Sequence, residues 1–281
     1  FVAGLSYQYD QVEYNGGSAE NSPCDKIYYA PSGMPEIGKE VYDFGGGYKY
    51  EEVIAFQHYQ SDMQEKSLLS YFARLEYSFK ERYLLSLSFR RDGSSTFGEN
   101  NRWGTFPSVA AGWTFSEEPF IKEKLGWLSF GKIRASWGRS GMHFSSNYLA
   151  LGIMNVGATS YRGNPTINPK WDDGLYNHEL SWEETDQYDF GLDLDFFDYR
   201  LTFTADYYYR YTDKLLARIT LPGDHNGYEQ QWRNAAAISN EGIELMVKYE
   251  IFREPDLYWK ISVNGAKNWN RMKEKILVAG L

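Results

Sequence analysis

The sequence is short of most features that sort a protein quickly into a class. Among 281 residues there is one cysteine, Cys24, so no internal disulfide and no cysteine-based metal cluster is available. Four histidines, His58, His143, His178 and His225, stand in separate segments without the close spacing of a zinc site. No apolar run approaches the roughly 18 to 20 residues of a membrane helix; the stretch beginning at Ile276 is among the longest and stops after a handful. Basic residues are outnumbered, 29 Lys plus Arg against 38 Asp plus Glu for a formal net charge of −9, which leaves no basic stripe for nucleic-acid phosphates. Gly45-Gly46-Gly47 lacks the lysine and following helix of a phosphate loop and reads as plain loop. A helical membrane protein and a disulfide-stapled module are thereby excluded, and the charge balance argues against a nucleic-acid binder. A transmembrane β-barrel is not, because its strands cross in about 9 to 11 residues and show only every second one to lipid.

Aromatic residues, by contrast, are abundant. Tyr, Phe and Trp number 24, 17 and 9, or 18% of the chain, in a sequence that is hydrophilic on average. Such content argues for a folded chain, and the position of the aromatics explains the combination. Over residues 70–79, Tyr71, Ala73, Leu75, Tyr77 and Phe79 alternate with Arg74, Glu76 and Ser78, a period of two that predicts a strand with one wet face. Tyr83, Leu85, Leu87 and Phe89 continue it after a turn at residues 80–82. Val109, Ala111, Trp113 and Phe115 oppose Ser108, Ala110, Gly112 and Thr114; Ile133, Ala135 and Trp137 oppose Lys132, Arg134 and Ser136. The clearest case sets Tyr188, Phe190, Leu192, Leu194 and Phe196 against Gln187, Asp189, Gly191, Asp193 and Asp195. Three acids on one face cannot sit in a dry core. Residues 200–209, 243–250 and 257–264 repeat the pattern. Residues 1–9 alternate from the first position, so the chain is expected to be a piece of a longer protein, with about nine antiparallel strands in all.

The connections alternate in length as well. Tight turns are expected at residues 80–82, at Asp198 and Tyr199, and at residues 253–256. Long connections are expected after Asp10 and over residues 92–104, 141–184 and 212–233. Residues 117–128 are intermediate, with Pro119 placed to open a helical turn. In a meander, alternate connections share an end, so the long loops gather at one rim and the short turns at the other, as in outer-membrane barrels. A soluble sandwich or propeller also alternates. Strands of about ten residues rather than five or six, aromatics at strand ends and the ordered loop lengths favour the barrel.

The run Arg91-Asp92-Gly93-Ser94-Ser95, then Phe97-Gly98, then Asn101-Arg102-Trp103-Gly104-Thr105-Phe106-Pro107-Ser108, continuing to Gly112-Trp113, resembles a signature of the SusC/RagA family of TonB-dependent outer-membrane transporters. Ile133-Arg134-Ala135-Ser136-Trp137-Gly138, Leu180-Ser181-Trp182-Glu183 and Asn240-Glu241-Gly242-Ile243-Glu244-Leu245 are similar to family segments in the same order. The resemblance implies an all-β arc of a large barrel of about 22 strands. The family's plug, TonB box and closing C-terminal strand are expected to lie outside residues 1–281. It further implies the outer membrane of a Gram-negative bacterium, contact with outer-membrane lipid, and import of oligosaccharide or peptide cargo without enzymatic chemistry or cofactor. The implied partners are a SusD-like surface lipoprotein and the TonB, ExbB and ExbD system. A siderophore or cobalamin receptor of the same superfamily, and a soluble glycan-binding or glycan-cleaving β-protein, are the alternatives.

Candidate functional residues follow from the two faces and the long-loop rim. Arg74, Glu76, Asp189, Asp193 and Asp206 are expected to line the lumen, with Arg200 and Arg74 as counter-charges for the acids. A metal or glycosidase role for Asp189, Asp193 and Asp195 is disfavoured, since same-face neighbours on a strand are roughly 6.5 to 7 Å apart and no turning loop gathers them. In the loops, Trp171, Asp172, Asp173 and Tyr176, and Asp224, His225, Asn226, Tyr228 and Trp232, combine flat aromatics with acids and amides, a mixture suited to sugar rings or peptides. The signature is expected to be structural, with Asp92-Gly93-Ser94 as turn chemistry and Trp103 as an interfacial or loop-packing aromatic.

Overall fold

A computed structural model describes residues 1–19, 40–43, 49–52, 57–143, 147–148, 150, 154–161, 164–169, 174–221, 228 and 230–274. Nine strands form one antiparallel meander: β1 (Val2–Ala19), β4 (Gln57–Phe79), β5 (Tyr83–Ser94), β6 (Trp103–Trp113), β7 (Leu128–Met142), β10 (Glu183–Phe196), β11 (Leu201–Thr220), β12 (Gln230–Glu254) and β13 (Leu257–Glu274). The sheet is open, with β1 and β13 at its edges. Two hairpins stand outside it, β2 (Glu40–Asp43) with β3 (Lys49–Glu52), and β8 (Met154–Tyr161) with β9 (Asn164–Pro169). Contacts divide the chain into one unit of Phe1–Gln8 and Ser67–Leu281 and another of Tyr9–Lys66. The smaller unit holds the β2–β3 hairpin and, at one strand pair, an ion pair of Lys66 with Asp10 at 3.6 Å.

The tight turns lie where expected, except that β12 runs through Glu254 and leaves only Pro255 and Asp256 of residues 253–256 as the turn. Lys80 and Glu81 both take left-handed φ, and the Arg82 N–H donates to the Phe79 carbonyl at 3.1 Å. Phe197, Asp198 and Tyr199 turn β10 into β11 in the same left-handed region. A short helix α1 (Pro119–Lys122) opens with its proline in the first turn, where a missing N–H costs nothing. Phe115 departs from expectation, since β6 ends at Trp113 and Phe115 begins a 3₁₀ turn instead of extending the outer face.

The nine strands of the meander run from 11 to 25 residues, most of them well past the expected ten. Strict apolar alternation marks only the part of each strand with an exposed apolar face, and beyond it the same strands continue with mixed side chains that no longer alternate, such as Lys214, Leu215, Leu216 and Ala217 in β11. Hence the supposed loops at residues 92–104 and 212–233 are partly strand: β5 reaches Ser94, β11 reaches Thr220 and β12 starts at Gln230.

Register aligns like with like. Tyr77, Leu85, Ala111, Ala135, Phe190, Tyr207 and Ile243 are successive cross-strand partners over seven strands, an unbroken apolar row on one face. Most of its large members are exposed, Phe190 to 55%, as a lipid-facing surface requires. The apolar band also slides. It centres on Leu75 in β4, whose register equivalent in β10 is Tyr188, and near Ile261 in β13, whose equivalent is Phe196. Eight residues of slide over seven strand steps, at about 3.4 Å per residue and 4.8 Å per step, mean strands tilted about 40° from the normal of the band. That slant is the one membrane barrels adopt. Aromatic pairs edge the band: Trp127 on Phe196 and Phe252 on Trp259 at the short-turn end, Tyr188 beside Tyr209 at the other.

Candidate functional site

Arg74, Glu76, Asp189, Asp193 and Asp206 share the polar face of the sheet, and Arg134 is the cation that joins three of the strands there. Arg134 on β7 pairs in register with Gly191 on β10, which pairs with Asp206 on β11. The Arg134 guanidinium donates to Asp193 from Nε at 2.7 Å and from Nη2 at 3.1 Å, and Nη2 also donates to Asp206 at 2.9 Å. To reach Asp206 it must cross an entire strand, and it crosses above Gly191. A Cβ there would lie 2.6 Å from the guanidinium carbon and from the Asp206 carboxylate. The counter-charge is therefore Arg134, not Arg200 or Arg74. Arg74 instead pairs with Glu76 on its own strand at 2.6 Å, because i and i+2 side chains share a face, while Arg200 sits in the β10–β11 turn.

Neutral donors hold the other acids. Asp189 accepts from the Ser136 hydroxyl at 3.2 Å and the Gln187 amide at 3.0 Å; Gln187 in turn accepts from Arg210 at 2.9 Å. Asp195 accepts from Thr202 at 2.6 Å. Two shallow concavities meet at Asp189, one of about 540 Å³ that includes Glu76, Lys132 and Arg134, the other of about 590 Å³ that includes Tyr208, Asn240 and Glu244. Among the described residues no three His, Cys, Asp or Glu side chains converge on a metal position. Carboxylates, amides and hydroxyls spread over a broad wall suit reversible hydrogen bonding with a polar solute.

At the long-loop end the signature divides by parity. Its inward residues build the one hydrophobic cluster among the described buried residues: Phe97, Phe106 and Trp182, with Leu68 packed against it. Trp182 meets Phe97 at 5.0 Å and Phe106 at 5.4 Å, and its indole N–H donates to the Arg102 carbonyl at 3.1 Å. Buried Asp92 accepts both contacts of Arg90 Nε at 2.8 Å, and Arg90 also donates to Ser70 at 3.1 Å. Asn101 donates to the Glu179 carbonyl at 3.0 Å. Gly98 lies so close to the His178 carbonyl that a Cβ would stand 2.2 Å from its oxygen. The signature thus holds residues 174–182 against the rim. Asp92, Gly93 and Ser94 are the last residues of β5 and not a turn, which begins at Ser95. Asp92 and Gly93 pair with Gly104 and Trp103 of β6 and Ser94 with Leu68 of β4, so turn-prone residue types are overridden by the ladder. Outward, Trp103 stacks on Tyr71 at 6.0 Å.

Of the rim residues expected to bind, Trp171, Asp172, Asp173, Asp224, His225 and Asn226 lie outside the described residues, as do Cys24 and Gly45 to Gly47. Tyr176 is exposed, 4.9 Å from His178. Its carbonyl accepts from Gln231 at 3.1 Å, and the Asn177 amide donates to the Trp232 carbonyl at 2.9 Å. Trp232 is half-buried beneath Arg218 at 5.0 Å, and Tyr228 is half-buried. Segments 174–182 and 230–234 therefore come together, with Asn234 gripping both the N–H and the carbonyl of Ser181 at 2.9 Å. Sequence reasoning passed over Arg134, Gly191, Gln231 and Asn234. A glycine set between Asp189 and Asp193 on a polar face was the available signal for the first two.

At the short-turn end, buried Glu118 accepts from the Tyr83 hydroxyl at 2.6 Å, the Trp113 indole at 3.3 Å and Arg82 at 3.3 Å. These donors, the tyrosine foremost, hold its carboxyl below the usual range against the opposing effect of desolvation.

Comparison with known proteins agrees with this architecture. A family model described as "TonB dependent receptor-like, beta-barrel" matches residues 2–275. The chain is 36% identical over 209 residues to TonB-dependent receptor SusC of Bacteroides thetaiotaomicron, covering 73% of this chain and 21% of that protein. It is 35% identical over 216 residues to TonB-dependent receptor P39 of Formosa agariphila, covering 76% and 20%. The chain thus spans about a fifth of the length of the curated relatives it matches. Among solved structures it superposes on the RagAB peptide importer in its "open-open" state with a TM-score of 0.73 and 25% identity, over 98% of this chain and 28% of that one. The "closed-closed" state gives 0.71 over 99% and 28%, at 24% identity. Two-faced strands, slanted apolar band, inward signature and these matches agree: the chain belongs to the TonB-dependent receptor β-barrel family and is of the SusC/RagA type.

Proposed function

We propose that this chain forms part of the wall of an outer-membrane importer for oligosaccharides or peptides, which takes its cargo between the barrel and a SusD-like surface lipoprotein and draws energy from the TonB, ExbB and ExbD system. Capture and translocation need no bond chemistry, and the hydrogen-bonding groups of the wall suit that task. The observation that carries this reading is the opposed character of the two faces at one register: Phe190 and its row bare and apolar outside, Asp189, Asp193, Asp206 and Arg134 held in a polar lattice inside. SusC is a TonB-dependent receptor and RagAB a peptide importer by name, which leaves both cargo classes to be tested.

In this reading Arg74, Glu76, Asp189, Asp193 and Asp206 are lumen wall, and the rim around Tyr176, Tyr228 and Trp232 meets cargo or lid. Trp171, Asp172, Asp173, Asp224, His225 and Asn226 are assigned to the same rim on residue type. The test deletes the full-length gene in its host and restores it as wild type or with Asp189→Lys and Asp193→Lys, measuring uptake of labelled oligosaccharide and labelled peptide. Deletion is expected to abolish uptake of one class, and the double reversal to depress it while the protein still reaches the outer membrane. Unchanged uptake of both classes on deletion would defeat the proposal.

A further inference from the structure

The outward half of the signature takes no part in the inner face or the rim cluster. Register sets Arg91 beside Tyr71 and Gly93 beside Trp103 on the outer face. Trp103 stacks on Tyr71 at 6.0 Å and lies flat on Gly93, where a Cβ would come within 2.9 Å of the indole. The Arg91 guanidinium rests over that indole at 5.2 Å. On β13 the same construction recurs, with Lys267 Nζ over Trp269 at 5.2 Å. Among the described residues neither cation has a carboxylate partner. Another outward cation at this level does, Arg139 with Asp186 at 2.9 Å, as do two placed farther from the midline, Lys214 with Glu184 at 2.5 Å and Arg271 with Glu241 at 3.1 Å.

Their height follows from the slide of the apolar band. Arg91 stands about five residues and Lys267 about six above the local midline, which at a 40° tilt is about 13 and 16 Å above the bilayer centre. The hydrocarbon core ends roughly 12 to 15 Å from the centre. Both charges therefore meet lipid at the headgroup boundary, on the side of the long loops. There an unpaired cation is only partly hydrated, and a phosphate is the complementary group that lipid can bring. A guanidinium whose face is occupied by an indole keeps its edge N–H groups free for bidentate contact with phosphate oxygens.

We propose that Arg91, Trp103 and Tyr71 form a site for the phosphate of an outer-leaflet lipid headgroup, and that Lys267 with Trp269 forms a second site of the same kind. This rests on the outer-membrane reading above. The test uses the full-length protein in detergent and native mass spectrometry, with bisphosphorylated lipid A and its dephosphorylated form as probes. Wild type is expected to retain the phosphorylated form in preference. Arg91→Gln combined with Lys267→Gln is expected to lower that retention about tenfold, the scale of losing a charge-assisted contact, while Arg91→Lys preserves most of it. Equal retention of the two lipids by wild type overturns the proposal whether or not the variants fold. Displacement of lipid A by inorganic phosphate overturns the headgroup assignment. A protein monodisperse without detergent defeats the outer-membrane reading itself, whereas one that needs detergent but is blind to phosphate defeats only the lipid site.

Discussion

Gly191→Ala should change sign with its background. Glycine in a strand is less stable than alanine by roughly 0.5 to 1 kcal/mol, because it surrenders more backbone freedom on folding. Alanine at 191 would recover that term, but its Cβ would occupy the space through which Arg134 reaches Asp206, 2.6 Å from both. A charge-assisted hydrogen bond contributes about 1.5 to 3 kcal/mol when buried. Here the Arg134 and Asp206 side chains are 41% and 36% exposed, so solvent screening reduces the loss to about 1 kcal/mol. Moving the guanidinium aside adds some strain to this. With Arg134 intact, Gly191→Ala is thus expected to be neutral or destabilising by about 1 kcal/mol; with Arg134→Met in place it should stabilise by roughly 0.5 to 1 kcal/mol. The coupling of about 1 to 2 kcal/mol is the quantity to measure, by urea unfolding of the full-length barrel followed through tryptophan emission. Equal effects in the two backgrounds would refute the account of why residue 191 is glycine.

Further outcomes follow from the two rims. Phe97→Ala empties a fully buried site in a small cluster and should cost about 3 to 5 kcal/mol locally, seen as faster proteolysis within residues 174–182 with the strands still intact. Gly98→Ala, by pressing on the His178 carbonyl, should expose the same segment, and unaltered cleavage there would count against the signature as its mount. For Glu118, whose carboxyl is held below its ordinary range, the stabilisation is present above the unfolded value and is lost as pH falls through the depressed one. Tyr83→Phe removes the foremost donor and should shift the onset of acid unfolding to higher pH; an onset unmoved by that variant would show the carboxylate to be held by its other partners.

Much of the fold was legible because a strand writes its two faces into alternate positions. The acids at Asp189, Asp193 and Asp195 and the apolar series from Tyr188 to Phe196 could be separated without coordinates, and the left-handed turn at Lys80 and Glu81 could be placed to the residue. The true length of the strands could not, since a strand without regular alternation and a loop look alike in sequence, as residues 212–220 do. Asp92 to Ser94 mislead for a related reason: turn-forming residue types lose to ladder pairing with β4 and β6.

By itself, then, the sequence determined which residues share a face wherever apolar and polar positions alternate, and the order in which short and long connections follow one another. Only the tertiary structure decided which residues meet across strands. Arg134 finds Asp206 over Gly191, and Trp182 finds Phe97, through a register set by the slant of the whole sheet. Facing is a property of two adjacent residues along one chain, whereas register is shared among strands that lie scores of residues apart, and no local pattern records it.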